Sequence, residues 1–197
     1  ELLSIAETLR VIRVVKEWRQ ASDASKESVL DVYFDNLVPN KFFEEKIFLC
    51  IKNEEEISDN ASPLLADIRR KISSCVSNIR SRLDKLVRSQ NSKFLQENII
   101  TQRDGRYVVP VKAEHKSDVP GLVHDTSASG ATLFVEPMAV VEINNEIKVL
   151  YSKEKAEIER ILAELSAIAA DFSDAILNSY DSLIKINLIF AKAKLGY

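Results

Sequence analysis

Residues 121–137, GLVHDTSASGATLFVEP, interrupt a chain that otherwise consists of long helical patterns. Within this stretch apolar and polar residues tend to alternate, and Ser129-Gly130 separates the two alternating runs as a turn signal. The same period of two occurs upstream in RYVVPVKA, residues 106–113, after another turn signal at Asp104-Gly105. The pattern predicts short antiparallel strands that form a small β tip over residues 99–136.

A long helical pattern precedes these strands. Ser62 followed by Pro63 is a helix start signal, because Ser caps a first turn and the N–H that Pro lacks would be unpaired there anyway. From this point to Asn98, apolar residues recur at alternate spacings of three and four, which is typical of a coiled-coil seam. The seam consists of Leu65, Ile68, Ile72, Cys75, Ile79, Leu83 and Leu86. We therefore expect an ascending lever helix over residues 62–98 that projects as an arm of about 50 Å.

A second helical pattern follows the strands and occupies residues 137–197. Its apolar residues share one face: Val140, Ile147, Leu150, Ile158, Ile161, Leu165, Ile168, Phe172, Ile176 and Leu183. The spacing predicts helices that return antiparallel to the first lever. We expect any bend in this segment near residues 178–181.

Helical patterns also dominate residues 1–61. Apolar residues recur every three or four positions in the first twenty residues, which predicts an amphipathic helix. The predicted fold class is therefore mainly α, with a helical core cluster in residues 1–61, long antiparallel lever helices and a small antiparallel β tip.

The composition fits this architecture. The chain has 197 residues, of which 46% are hydrophobic, with only four Gly and five Pro. The two cysteines, Cys50 and Cys75, show neither disulfide nor zinc-site spacing. The sequence has no signal peptide and no charge-free run of 18 apolar residues, so we expect a soluble, cytoplasmic protein without a membrane partner. Because it starts without Met inside a helical pattern, we also expect it to be a fragment.

The charge is unevenly distributed along the chain. The formal net charge is −3, yet residues 62–98 contain eight basic and three acidic residues. Most of this basic excess is explained if residues such as Arg69, Arg80 and Arg82 pair across the seam with acidic residues of the returning helix. Arg70 and Arg88, 18 residues apart on an outward face, are better candidates for contact with phosphate.

The β tip carries the other candidate nucleic-acid ligands. Four cations, Arg103, Arg106, Lys112 and Lys116, occur in it together with Ser127 and Ser129. Small side chains let a backbone approach phosphate closely, and hydroxyl groups can donate to it. The simpler interpretation is that Thr126, Ser127 and Ser129 hydrogen-bond the backbone of a tight turn in which Gly130 has a positive φ.

Three kinds of catalytic or metal site are disfavoured. His124, Asp125 and Ser127 are too close in one strand to converge as a triad. No GxSxG or GxxxxGK[ST] motif occurs in the sequence, so an acyl-transfer nucleophile and a phosphate loop are not indicated. His115 and His124 have no evident third metal ligand. We therefore expect no catalytic residue, metal or cofactor in this chain.

Residues 103–147, RDGRYVVPVKAEHKSDVPGLVHDTSASGATLFVEPMAVVEINNEI, resemble the signature of the MutS-two branch of the bacterial MutS family. The resemblance extends back through DNASPLLADIRRKI, residues 59–72, and forward through EIERILAELS and IFAKAKL. The sequence departs from the pattern where residues 51–62 lack a Gly and where Asn187 replaces an Asp. The resemblance implies a core, lever and clamp fragment, with residues 99–137 as a reduced clamp.

Proteins of this branch are homodimeric ATPases that embrace nucleic acid, so the resemblance implies ATP and Mg in the parent protein and often an Smr-type endonuclease domain. It also implies that the parent binds DNA or ribosomal RNA, either to limit recombination through branched DNA or to rescue collided ribosomes. For the fragment this leaves a nucleic-acid-binding, non-enzymatic module. The alternative is a structural coiled-coil module that mediates protein–protein contact or dimerisation.

Overall fold

The chain folds mainly into helices in a computed structural model that describes residues 1–22 and 28–196. Its contacts divide it into two compact units. The first unit contains Glu1–Pro63 and Ile158–Tyr197, and the second unit contains Leu64–Glu157.

The first unit is built from helices around a buried apolar centre. Its elements are α1 (Leu2–Ala21), α2 (Asp31–Asp35), α3 (Lys41–Cys50), the end of a helix that begins in the second unit, and α6 (Ser173–Leu195). Helices α1 and α3 pack together, and their side chains Leu9, Ile12, Phe43 and Ile47 are fully buried. The amphipathic helix predicted for the first twenty residues is thus confirmed by α1. A short antiparallel hairpin, β1 (Ile51–Asn53) and β2 (Glu56–Ile57), follows α3.

The second unit combines two helices with a four-stranded sheet. Helix α4 (Pro63–Val87) precedes the strands β3 (Thr101–Arg103), β4 (Arg106–Lys112), β5 (Gly121–Thr126) and β6 (Thr132–Pro137), and α5 (Met138–Asp171) follows them. The strand order is β3-β4-β6-β5, and every pairing is antiparallel. The short antiparallel strands predicted from the period of two are confirmed.

Helices α4 and α5 and the sheet share one apolar core. It contains Ile79, Leu83 and Val87 of α4, Val109, Val111 and Val135 of the sheet, and Val140, Ile143 and Ile147 of α5. Residues 107–111 of β4 are all buried, so both faces of this central strand are covered. Full burial of each such aliphatic side chain contributes about 1.5–3 kcal/mol to folding.

The predicted long antiparallel lever helices are wrong. Helix α4 ends at Val87 instead of continuing to Asn98, and a 3₁₀ helix, Gln90–Phe94, follows it. Beyond that helix, Leu95 forms a bridge with Val111, and the amide of Gln96 donates to the carbonyl of Pro110. Pairing with β4 therefore overrides the helical pattern after α4.

The returning segment also differs from the prediction. It breaks at Phe172, between α5 and α6, whereas residues 178–181 lie inside α6 without interruption. The division between the two units falls within α5 and next to the start of α4, so α5 contributes residues to both units. The fold is mainly α with two small antiparallel sheets rather than one tip. The division of the chain at residues 61, 98 and 136 stays a prediction.

Candidate functional site

The four cations predicted for the tip lie at two ends of the central strand. Arg103 ends β3 and pairs with Arg106 at the start of β4. Lys112 ends β4, and Lys116 lies in the 3₁₀ helix Ala113–Asp118 that follows. Because β4 has seven residues, roughly 20 Å of extended backbone separates its ends. The structure therefore does not bring these four side chains together.

Arg103 is held by an acidic and an aromatic side chain. Its Nε donates to Oδ2 of Asp125 at 3.0 Å, and its Cζ lies 3.8 Å from the centre of the Phe134 ring. Its Nη1 also donates to the carbonyl of Gln102 at 2.8 Å. The guanidinium thus donates hydrogen bonds from its edge and packs on an aromatic ring with its face.

Arg106 enters a hydrogen-bond network around a carboxylate with no exposed surface. Its Nη1 donates to both oxygens of Glu136, at 2.8 and 3.0 Å, and Nη2 donates to Oδ1 of Asn145 at 2.6 Å. Nε2 of His124 also bonds Glu136, as does Nδ2 of Asn144 at 2.7 Å. The network connects β4, β5, β6 and α5, so Arg106 has a structural partner for its charge.

Lys112 and Lys116 lie beside a second 3₁₀ segment and the serine-rich turn. The Nζ of Lys112 donates to the carbonyl of Lys93 at 3.1 Å. The amide of Ala113 donates to the carbonyl of Ala131 at 3.0 Å, which joins the segment of Lys116 to the end of the turn. Lys93 and Lys116 are exposed. The two 3₁₀ segments that carry Lys93 and Lys116 therefore meet at the end of the sheet where Lys112 ends β4.

The serine-rich turn is closed by Ser127. Its hydroxyl oxygen accepts from the amide of Thr132 at 3.0 Å, and its own amide donates to the carbonyl of Thr132 at 2.9 Å. Gly130 has φ 73°, a conformation that favours glycine. Ser129 is exposed, and its oxygen accepts a long bond from Ala131. The predicted role of both serines and Gly130 in a tight turn is confirmed.

The candidates of the basic segment lie on α4 or directly after it. Arg70 is an exposed residue of α4, 3.6 Å from Asp67, and Arg88 is exposed directly after the last residue of α4. Arg69 pairs with Glu154 at 2.6 Å, which confirms pairing between α4 and α5 at this position. Arg82 instead donates to the carbonyl of Ala139 at 2.8 Å.

The three residues of the disfavoured triad have separate partners. His124 bonds Glu136, Asp125 binds Arg103, and Ser127 closes its turn, so the three do not form one relay. Burial raises the pKa of both free cysteine thiols, Cys50 and Cys75, and therefore disfavours a thiolate nucleophile at either position.

Two further structural observations concern metals and membranes. Within residues 1–22 and 28–196, no group of three or more His, Cys, Asp or Glu side chains is arranged to hold a metal ion. In the same part of the chain, none of the helices combines the length and apolar character needed to cross a membrane.

Several curated relatives match the sequence over its whole length, although no family model matches it. A protein named endonuclease MutS2 from Alkaliphilus oremlandii is 50% identical over 200 residues and covers 100% of the chain. Proteins of the same name are 52% identical over 98% of the chain in Clostridium novyi and 43% identical over 100% of it in Acetivibrio thermocellus. The chain spans 25% of the length of each of these relatives.

The chain, including its β4–β6 pairing and its serine-rich turn, therefore belongs to the MutS family. Within that family the chain belongs to the MutS2 branch, because 43–52% identity extends over nearly all of its residues. The resemblance carried by residues 103–147 is confirmed.

Proposed function

We propose that this chain is a nucleic-acid-contacting module of a MutS2-type protein. The contact would be made by what we call the lysine surface, which consists of Lys93, Lys112, Lys116 and the turn of residues 127–130. The observation that carries the proposal is the hydrogen bond from Lys112 Nζ to the backbone carbonyl of Lys93, because it brings the Lys112 side chain to the segment of Lys93 at the end of the sheet where Lys112 pairs with Thr132.

The chemistry of this surface suits a phosphate backbone. Lysine ammonium groups bind phosphate as point charges, and exposed hydroxyls such as that of Ser129 can donate to phosphate oxygens. The small residues of the turn allow close approach of a backbone. None of these contacts reads a base edge, so binding would have little sequence preference.

Acidic residues near the lysines limit the expected affinity. Glu114 and Asp118 lie in the same 3₁₀ helix as Lys116, and Asp118 lies 2.9 Å from Nδ1 of His115. The local net charge is therefore small. We expect weak binding with a shallow dependence on salt.

The remaining candidate cations would contribute less to the contact with phosphate than the lysine surface does. Arg103 and Arg106 bind carboxylates, so contact with phosphate would require them to exchange or share these partners. Arg70 and Arg88 are exposed and would extend the contact along α4.

At the level of the parent protein we propose a homodimer that binds branched DNA to limit recombination, or ribosomal RNA to rescue collided ribosomes. The relatives' name, endonuclease MutS2, supports nucleic acid as the partner. The sequence has no GxxxxGK[ST] motif, so it does not indicate a phosphate loop for ATP. We therefore propose that this chain contributes binding and that nucleotide chemistry belongs to other parts of the parent.

Charge removal on the lysine surface tests this function. In this 197-residue chain, Lys112→Ala/Lys116→Ala should weaken binding to a labelled 20-base-pair duplex in fluorescence anisotropy. If both contacts are made, the slope of log K against log salt should fall by about 1.8, or about 0.9 per contact. Lys148→Ala/Lys153→Ala removes two exposed lysines of α5 as a matched control and should change neither quantity. Equal effects of the two double variants would contradict the proposed surface.

A second candidate function is protein–protein contact through the first unit. Helices α1, α2 and α6 border an apolar groove of about 620 Å³, with Val11, Trp18, Tyr180 and Phe190 among its lining residues. These four side chains are between 46% and 53% exposed, and exposed apolar patches mark interaction sites. Sedimentation velocity tests it: Ile184→Asp, within the groove, should abolish concentration-dependent association, whereas nucleic-acid binding should persist.

A further inference from the structure

An imidazole and a phenyl ring pack together within the lysine surface. The ring centres of His115 and Phe94 are 5.0 Å apart, with an interplanar angle of 47°. The two rings come from the two 3₁₀ helices Ala113–Asp118 and Gln90–Phe94, which contact each other. Phe94 is partly buried against the core of the second unit, and 34% of the His115 side chain remains exposed.

The His115 ring is held in place by its neighbours. Nδ1 lies 2.9 Å from Oδ2 of Asp118, and Phe94 supports the ring from within the protein. The Nζ of Lys93 lies 4.9 Å from the centre of the Phe94 ring, so a cation accompanies the aromatic pair. A ring that is already oriented loses little rotational freedom when a ligand stacks on it.

A supported, partly exposed ring among lysines is the combination that binds unpaired nucleotides. Single-strand-binding surfaces pair cations that follow the phosphates with rings on which bases stack. Bases inside a duplex already stack on one another and expose no free face. Three lysines offset by two acidic residues supply little electrostatic binding, so a stacked base would add a large share of the affinity.

We propose that the lysine surface binds single-stranded nucleic acid, with an unpaired base stacked on the His115 ring. This inference rests on the proposed function, because it assumes that the lysine surface contacts nucleic acid. Stacking on His115 would select unpaired nucleotides as the ligand, which the charge of the lysine surface alone would not do. Stacking is available to every base and to both DNA and RNA, so the shared ligand is an unpaired base with its flanking phosphates.

The test compares three labelled probes of equal length: oligo(dT), oligo(U) and a mixed-sequence duplex. The unaltered chain should bind at least one of the two single strands more tightly than the duplex. His115→Ala should weaken single-strand binding by about fivefold to a hundredfold, since stacking of one base accounts for a factor of this size. It should leave duplex binding and the salt slope unchanged, because no phosphate contact is lost. His115→Phe should retain single-strand binding, because it keeps a ring.

Each alternative result has a distinct meaning. If His115→Ala weakens single-strand and duplex binding equally, or weakens neither, the stacking inference is overturned, and the lysine surface stands if Lys112→Ala/Lys116→Ala still reduces binding. Loss of binding in His115→Phe as well as His115→Ala would also overturn it. If the unaltered chain binds none of the probes, both the inference and the proposed function fail. Circular dichroism of each variant shows whether it is folded, so that a loss of binding can be distinguished from unfolding.

Discussion

Arg106 brings a positive charge to a carboxylate that is completely shielded from solvent. Glu136 is 0% exposed, and Arg106 donates to both of its oxygens. A buried carboxylate that loses its cation keeps its desolvation cost without the compensating attraction. At this position the guanidinium is therefore required by the fold, whatever further contact it makes.

We predict that Arg106→Ala lowers the free energy of unfolding by about 3 kcal/mol, since it removes the arginine from a buried carboxylate and leaves that carboxylate with its bonds to His124 and Asn144. Urea unfolding followed by circular dichroism measures this change. Arg103→Ala is the matched control, because it removes an arginine from a more exposed ion pair, and it should cost less than about 1 kcal/mol. Equal losses in the two variants would contradict the structural role of Arg106.

Residue-level prediction from the sequence succeeded where the interactions are local. The turn of Ser127 and Gly130 spans a few residues, and its chemistry follows from residue type. The partnership of Arg106 with Glu136 joins residues 30 positions apart and depends on the register of β4 against β6. Asn144, which completes that network from α5, carried no local signal either.

At the scale of elements, strands β5 and β6 approach each other closely where β5 begins. A Cβ added to Gly121 would lie 2.2 Å from the carbonyl oxygen of Glu136 and 2.7 Å from Cγ1 of Val135. One of these contacts involves backbone, which cannot rotate away. Any side chain at residue 121 therefore forces the two strands apart.

We predict that Gly121→Ala destabilises the second unit by about 2 kcal/mol, the usual cost of overpacking. Hydrogen exchange should locate the loss in the amides that pair β5 with β6. Gly196→Ala is the control, because a Cβ there would meet its nearest atom at an ordinary 3.5 Å. Unchanged protection of β5 in Gly121→Ala would contradict the close approach.

The helical pattern of α4 predicted a buried face but could not identify what covers it. Leu65, Ile68, Ile72, Ile79 and Leu83 are all buried, as the spacing of three and four requires. The same spacing arises whether a helix packs on another helix or on a sheet. Here Ile79 and Leu83 lie in the core shared with the sheet, whereas Ile68 and Ile72 pack with Leu150 of α5. The end of α4 was missed because pairing of residues 95–96 with β4 is a tertiary interaction.

At the scale of the whole chain, the first unit contains three ion pairs that join different helices. Arg13 pairs with Glu44 at 2.9 Å, Arg19 with Asp31 at 2.8 Å, and Lys46 with Glu164 at 2.6 Å. Hydrogen bonding from the basic partner holds the pKa of each of these three carboxyl groups below its usual value. The first unit therefore gains stability when these groups are ionised.

We predict that the first unit loses stability in acid. A carboxyl group with a lowered folded-state pKa stabilises the fold fully above its unfolded pKa, about 4, and this contribution disappears as the pH falls through the folded pKa. The melting temperature should thus decline below about pH 4. Glu44→Gln should reduce that decline, whereas Glu45→Gln, at an exposed neighbouring position, should leave it unchanged. A decline that is identical in Glu44→Gln and the unaltered chain would contradict the role of this pair.

The fluorescence of Trp18 is a selective probe for unfolding of the first unit. It is the single tryptophan of the sequence, and its ring lies 6.2 Å from Phe34 and 6.1 Å from Phe190, all within the first unit. With 53% of the residue exposed, its emission should shift to the red when α1 separates from α6 and the remaining apolar contacts are lost. Excitation at the red edge of the absorption band, where tyrosine contributes little, would follow the first unit alone. The chain thus contains an intrinsic fluorophore that distinguishes unfolding of its helical unit from unfolding of the unit with the four-stranded sheet.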